Sequence, residues 1–238
     1  MTGLLLSKLL DLLFPPRCIF CGALSERGDI CRSCAQEAEK LALSVPEMRE
    51  ENRSRRLEFV EDVCAPYAYA DGAAEVVRRF KFRENAWLAA PMARAVAGCV
   101  RDCFAGVGFD LAVSVPSNEP ERRHSDHLAR KTASLLGCPY DGGVLHKLRD
   151  TRKQHDLDEA GRAHNLEDAF WADERAVRGQ TVLICDDVIT SGNTVNECAK
   201  ALLRAGARAV YACSFAATGR LGHDGEAALG GGNDSLNL

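Results

Sequence analysis

The residues of this chain best suited to chemistry stand in one run, Val182-Leu183-Ile184-Cys185-Asp186-Asp187-Val188-Ile189-Thr190-Ser191-Gly192-Asn193-Thr194. Ligands of open parallel sheets bind beyond the carboxyl ends of strands, and Asp186 and Asp187 follow a short apolar, strand-like stretch. Two adjacent acids accept hydrogen bonds from a vicinal diol or hold Mg2+ through water. The small, hydroxyl-rich turn that follows opens a helix. Its backbone N–H groups, the hydroxyls of Thr190, Ser191 and Thr194 and the helix dipole favour a phosphate. One loop thus has an acidic end for a sugar and an anion-binding end about one ribose away, and a ribose 5-phosphate suits both.

Each half has a plainer reading. A strand followed by Asp-Asp also opens phospho-receiver domains, but there the acids lie on the first strand, and Asp186 is near the end of this chain. A Ser/Thr/Gly turn before a helix is often only an N-cap. A P-loop is excluded, because no Gly-Lys-Ser/Thr follows the turn. The combination is far more specific than either part.

The second chemical constellation is Cys18-x-x-Cys21 and Cys31-x-x-Cys34, with nine residues between the pairs. A two-residue gap lets both sulfurs of a pair face one ion, and Gly22 permits the tight turn beneath it. Four thiolates make the closed tetrahedral site of a structural zinc, with no open position for catalysis. The competing reading is two disulfides, which a reducing compartment disfavours. The chain has 11 cysteines in all. Cys185, Cys198 and Cys213 sit in apolar runs, where cysteine acts as a small hydrophobe. Cys99 and Cys103, at helical i, i+4 spacing, read as packing residues before a redox pair, and Cys64 carries no signal.

Around these sites the chain is that of an ordinary globular protein. At 238 residues it suits one to two domains. It has a net charge of −4, 46% hydrophobic and 27% charged residues. That charge argues against a general nucleic-acid surface. Leu4 to Phe14 is apolar but interrupted by Lys8 and Asp11 and closed by Pro15-Pro16. It is too short to span a membrane, and no small-residue cleavage site follows, so the chain reads as cytoplasmic with a short amphipathic N-terminal helix.

The expected organisation is a helix and zinc module over 1–45, a charged linker over 46–59, a body over 60–218 and an unstructured tail over 219–238. Periodicity predicts helices at Ala73–Phe80, Trp87–Phe104, Leu128–Leu136 and Val195–Ala205. Strands are expected at Leu111–Val115, Val182–Cys185 and Ala209–Ala216. Strands alternating with helices imply an α/β fold, a parallel sheet covered on both faces.

Residues 183–194 resemble the phosphoribosyl-pyrophosphate (PRPP) signature of type I phosphoribosyltransferases. The wider chain resembles the ComF family, a branch with an N-terminal zinc module that is linked to competence for natural transformation. The likeness is carried by Leu-Leu-Phe-Pro-Pro-Arg-Cys at 12–18, the two cysteine pairs, Val115-Pro116, then Thr151, Gln154, Leu157, Arg162, Asn165 and Phe170, and the signature itself. It runs in order through roughly residues 4 to 218.

The resemblance implies a type I phosphoribosyltransferase-like fold binding PRPP with Mg2+. Asp186 and Asp187 would hold the ribose hydroxyls, Val188 and Ile189 would be PRPP-binding residues of the same loop, and Thr190, Ser191, Gly192, Asn193 and Thr194 would take the 5-phosphate. Ser117 and Asn118 would face the pyrophosphate. Asp186, Asp187 and Lys81 are the implied catalytic residues, Lys81 matching a lysine common in the family. Further basic candidates are Arg78, Arg79, Arg83, Arg122, Arg123, Arg152 and Lys153, each with a plain surface-charge alternative.

Where the family usually has an Arg-Gly-aromatic-Asn run, this chain reads Glu121-Arg122-Arg123-His124-Ser125-Asp126-His127. In the transferases this region gives a mobile lid, and here it lacks the glycine and the aromatic. His124 and His127 read as surface or capping residues before proton carriers. Three functions follow: phosphoribosyl transfer to an acceptor the sequence does not reveal; a catalytically silent adaptor for DNA-uptake or recombination proteins, or single-stranded DNA; and, last, a redox sensor.

Overall fold

A computed structural model describes residues 16–25, 28–55, 57–81, 83–117, 124–148 and 169–218. The expected N-terminal helix and C-terminal tail lie outside them, as do Asn118, Arg122, Arg123, Thr151, Arg152, Lys153, Gln154, Leu157, Arg162 and Asn165.

The order is α1 (Arg32–Leu41), α2 (Val45–Arg55), β1 (Val63–Cys64), β2 (Tyr67–Ala68), α3 (Asp71–Phe80), a 3-10 turn (Arg83–Leu88) and α4 (Ala89–Cys103). Then come β3 (Leu111–Ser114), α5 (His124–Leu136), β4 (Leu145–Lys147), β5 (Phe170–Ala172), α6 (Glu174–Val177), β6 (Thr181–Ile189), α7 (Asn193–Arg204) and β7 (Ala209–Ala217). The main sheet runs β1-β7-β6-β3, with β2 pairing the far end of β7, and all its pairings are parallel. The α/β fold with a parallel sheet is thus present. A small antiparallel β4–β5 ribbon forms a second sheet, whose Leu145, Phe170 and Ala172 join the core beneath α7.

The two central strands read as near-continuous apolar runs because both faces are covered. On one face α3, α4 and α5 bury Val76, Phe80, Met92, Val96, Leu128 and Phe215. On the other, α7 supplies Val195, Cys198, Ala199 and Leu202, the i, i+3, i+4, i+7 stripe of an amphipathic helix. Each large side chain fully buried this way contributes about 1.5–3 kcal/mol.

Three local expectations differ from the structure. The segment expected as a linker contains α2, held by Met48, which is buried, and by Asn52, which donates to Asp62 and to the Val63 carbonyl. The helix expected from Trp87 begins as the 3-10 turn, with Asn85 at non-helical angles (φ −109°, ψ 24°), before α4 starts at Ala89. Most relevant to the site, β6 does not stop at Cys185 but continues through both acids to Ile189. Its partner β7 stays paired as far as Ile189↔Ala217, whereas β3 pairs only up to Ser114↔Cys185. The acids therefore lie past the end of β3, along an edge that β3 leaves open.

Candidate functional site

Asp186, Asp187, Val188, Ile189, Thr190, Gly192 and Thr194 line a cavity of about 310 Å3, together with Lys81, Tyr69 and Val195. Strand β6 positions the acids, and the turn into α7 positions the rest. Gly192 caps α7 at φ +84°, a left-handed angle that favours glycine. A Cβ there would also come within 2.8 Å of Leu57 Cδ2. Leu57 is held nearby because Asn196, on α7, accepts from the backbone N–H groups of Glu58 (2.9 Å) and Phe59 (3.0 Å). The turn is thus braced from outside by the chain that leads into β1.

Lys81 follows the last residue of α3, and its backbone N–H bonds to the Val77 carbonyl (3.1 Å), carrying the helical hydrogen bonding one residue further. This aims its amine across the cavity to Asp187, Nζ to Oδ2 2.8 Å. Burial pulls the Lys81 pKa down, but the charge and hydrogen bond of Asp187, with the charge of Asp186, outweigh it and hold the pKa above the ordinary lysine value. The Asp186 carboxyl moves the other way. Burial, then the neighbouring Asp187, raise its pKa well above the ordinary 3.8 against the lowering effects of the Asp187 N–H and Lys81. The Asp187 N–H donates to Asp186 Oδ1 (2.8 Å), as does the Ser125 hydroxyl at the start of α5 (3.2 Å).

The segment replacing the expected lid run is therefore partly helical, with His124–His127 in the first turn of α5. His124 packs edge-on against Phe80, at 5.6 Å between centroids, and His127 is exposed. Asp126 accepts from the Ser114 and Tyr140 hydroxyls, fastening α5 to the end of β3. Ser117 is exposed past that strand end, and it, Ser191 and Asn193 are not among the residues lining the cavity.

Of the basic candidates whose side chains are described, Lys81 alone lines the cavity. Arg78 pairs with Glu75 on the surface of α3 (2.9 Å). Arg79 is directed at the cysteine module: its guanidinium donates to the Phe20 carbonyl (2.6 Å) and the Ile19 carbonyl (3.5 Å). Tyr69 and Val195 are lining residues without a sequence signal of function. Tyr69 arrives because its N–H bonds to the Ala217 carbonyl (2.8 Å), a consequence of β2 pairing with β7.

The four cysteine sulfurs of the amino-terminal module all lie within 4.8 Å of one another, with Cys21 and Cys31 at 3.7 Å. Tetrahedral zinc with Zn–S bonds of about 2.3 Å places its sulfurs about 3.8 Å apart, so the donor set fits that ion. The module packs on the body through Phe20 against Tyr67, whose ring meets Phe215 in the core, and through Arg94, which donates to Asp29.

A parallel sheet whose central strand carries two acids into a hydroxyl-rich turn, preceded by a four-cysteine ribbon, defines a phosphoribosyltransferase-type protein with a zinc ribbon. The sequence matches the phosphoribosyl transferase domain family over residues 123–226 and the double zinc ribbon domain family over residues 9–45. It is 33% identical over 203 residues to the DNA utilization protein YhgH of Salmonella typhimurium, covering 81% of this chain and 86% of that protein. It is 25% identical over 158 residues to Competence protein F of Haemophilus influenzae, covering 62% and 69%. A crystal structure of adenine phosphoribosyltransferase also matches, at 14% identity and a TM-score of 0.39, over 61% of this chain and 76% of that one. The chain belongs to the ComF/YhgH family.

Proposed function

We propose that the protein binds PRPP at the β6–α7 loop and acts in the handling of DNA, as the names of its YhgH and competence relatives suggest. The observation that carries this reading is the convergence of Asp186, Asp187 and Lys81 with Thr190, Gly192 and Thr194 around one cavity. In this reading the carboxylates hold the ribose diol, and the turn and the amino end of α7 hold the 5-phosphate. Lys81, released from Asp187, supplies positive charge toward the pyrophosphate. The oxygen donors of Asp186 and Asp187 suit a hard cation. Mg2+ bound with PRPP would neutralise charge on the departing pyrophosphate.

The reading has two forms, transfer of the phosphoribosyl group to an acceptor and ligand-controlled docking of DNA-uptake or recombination partners. The departure from the family pattern at 121–127 favours the second, because Ser125 and Asp126, in the first turn of α5, are tied to Asp186 of β6 and to Ser114 of β3. Calorimetry with PRPP, with and without Mg2+, tests the binding both forms share. Pyrophosphate release across a panel of base acceptors separates them: binding with release supports transfer, and binding without release supports docking. Absence of binding at millimolar PRPP overturns the proposal.

A further inference from the structure

A second sulfur cluster is built from residues that belong to neither site described above. Cys64, Cys99 and Cys103 bring their sulfurs within 4.8 Å of one another. Cys99 and Cys103, one turn apart on α4, present theirs on one helix face, 3.8 Å apart. Cys64 comes from β1. A fourth sulfur joins from another element: Met48 Sδ, on α2, lies 3.9 Å from Cys99 Sγ. Met48 is itself held in place, since its sulfur accepts the Ala65 N–H (3.2 Å). Contact between two sulfurs does not make a site, since Cys185 and Cys213 touch at 3.4 Å inside the sheet; here three cysteine sulfurs converge with a thioether, and Cys99 and Cys103 are only partly buried.

We propose that Cys64, Cys99 and Cys103, with the Met48 thioether as a further donor, form a second metal site for a soft d10 ion, Zn2+ or Cu+. Thiolate and thioether donors select such ions over hard cations. The 3.8 Å between Cys99 and Cys103 is that of two thiolates on one ion with metal–sulfur bonds of about 2.3 Å, and Cys64 lies within 4.8 Å of both. Cys103 is half-buried, at the end of α4, which leaves an entry path. Arg49, next to Met48 on α2, places positive charge beside Cys103, offsetting the negative charge that three thiolates carry. The ion would fasten α2, the helix that connects the zinc ribbon to the sheet, against both α4 and the edge strand β1. This inference is independent of PRPP binding.

The test is metal stoichiometry of the full-length, reduced, metal-stripped chain, titrated with Zn2+ and, without oxygen, with Cu+. The expected result is two equivalents per chain in total with at least one of the metals. Cys103→Ser is expected to hold one fewer, and Cys31→Ser to lose the other. Filling by Zn2+ or by Cu+ identifies the ion, and either supports the site. Alkylation followed by peptide mapping provides a check that needs no variant: Cys99 and Cys103 should be protected in the loaded chain and modified after chelation. A single equivalent with both metals, with Cys103 alkylated as fast in the loaded chain as in the stripped one, overturns the proposal.

Discussion

The amine of Lys81 lies 2.8 Å from a carboxylate oxygen of Asp187, a contact between the end of α3 and the carboxyl-terminal part of β6 that closes one wall of the cavity. Asp187 is buried and Lys81 about half exposed, so the pair holds a carboxylate where water reaches it poorly. Lys81→Met is expected to lower PRPP affinity about tenfold or more, about 1.4 kcal/mol, and to cost about 1 kcal/mol of stability by leaving Asp187 without its partner. Lys81→Arg should recover the stability and only part of the affinity, because the guanidinium fork differs in shape and reach. Calorimetry and denaturant unfolding on the same preparations check both; unchanged affinity in Lys81→Met removes Lys81 from the site.

Asp186 gives the pH prediction. Its raised pKa means that the folded chain holds this proton more tightly than the unfolded chain does. The stabilising contribution is therefore complete below the unfolded value, near 3.8, and is lost as pH rises through the higher native one. Asp186→Asn keeps the shape and an acceptor for Ser125 but carries no charge to bury. Its melting temperature should exceed that of the natural chain by a few degrees at neutral pH, with the gain shrinking toward pH 4. PRPP affinity should fall in the same variant, since a neutral amide accepts more weakly from a sugar diol. An Asp186→Asn chain that melts no higher at pH 7.5 than the natural one contradicts this account.

Gly192 faces two constraints that a double substitution separates. Alanine at φ +84° costs about 1–2 kcal/mol in backbone strain, and its Cβ would also collide with Leu57 Cδ2 at 2.8 Å. Gly192→Ala should therefore lose about 2 kcal/mol or more in denaturant unfolding. Adding Leu57→Ala to that variant should make it less unstable than the two separate losses summed, because the collision is gone and only the backbone term persists. Strict additivity would show that the Leu57 contact carries no energy.

What the sequence made legible divides along physical lines. Asp186, Asp187 and the Thr190–Thr194 turn were readable because their chemistry is local: adjacent acids and a capped helix start need no distant partner to be recognised. The cysteine pairs were readable for the same reason. The end of β6 was misplaced because charge normally closes an apolar strand, and the pairing that carries it on to Ile189 comes from Ala217 of β7, 28 residues away in sequence. Helix α2 was hidden because its run Glu-Met-Arg-Glu-Glu-Asn-Arg holds a single large apolar residue, Met48, and its hydrogen bonds to Asp62 and Val63 are tertiary. Tyr69 and Cys64 gained roles only through sheet register, which no short-range pattern encodes.

Metal removal should loosen the amino-terminal module first. Four thiolates closing on one ion contribute folding energy directly, and Phe20 is anchored beside them on Tyr67. Chelation at neutral pH is expected to open residues 16–42 to protease while the sheet keeps its protection from hydrogen exchange. Cys34→Ser should behave the same way without chelator. If the loaded and stripped chains are cut at equal rates, the ribbon does not depend on its metal.

Arg78 and Arg79 are neighbours of the same type, both candidates for pyrophosphate from sequence, and the structure gives them different roles. Arg78 forms an exposed pair with Glu75, one turn away, of a kind that contributes about 0–1 kcal/mol. Arg79 reaches from α3 to the carbonyls of Ile19 and Phe20 and stands over Trp87 at 5.8 Å, so its charge ties the ribbon to the body. Arg79→Ala should cost about 1–2 kcal/mol and raise protease cutting between Cys18 and Cys34, with zinc still bound and PRPP affinity unchanged. Arg78→Ala should leave stability within about 0.5 kcal/mol and affinity unaltered. Loss of PRPP binding in Arg79→Ala, with the ribbon still protected, would return this arginine to the ligand site and overturn its assignment to the ribbon.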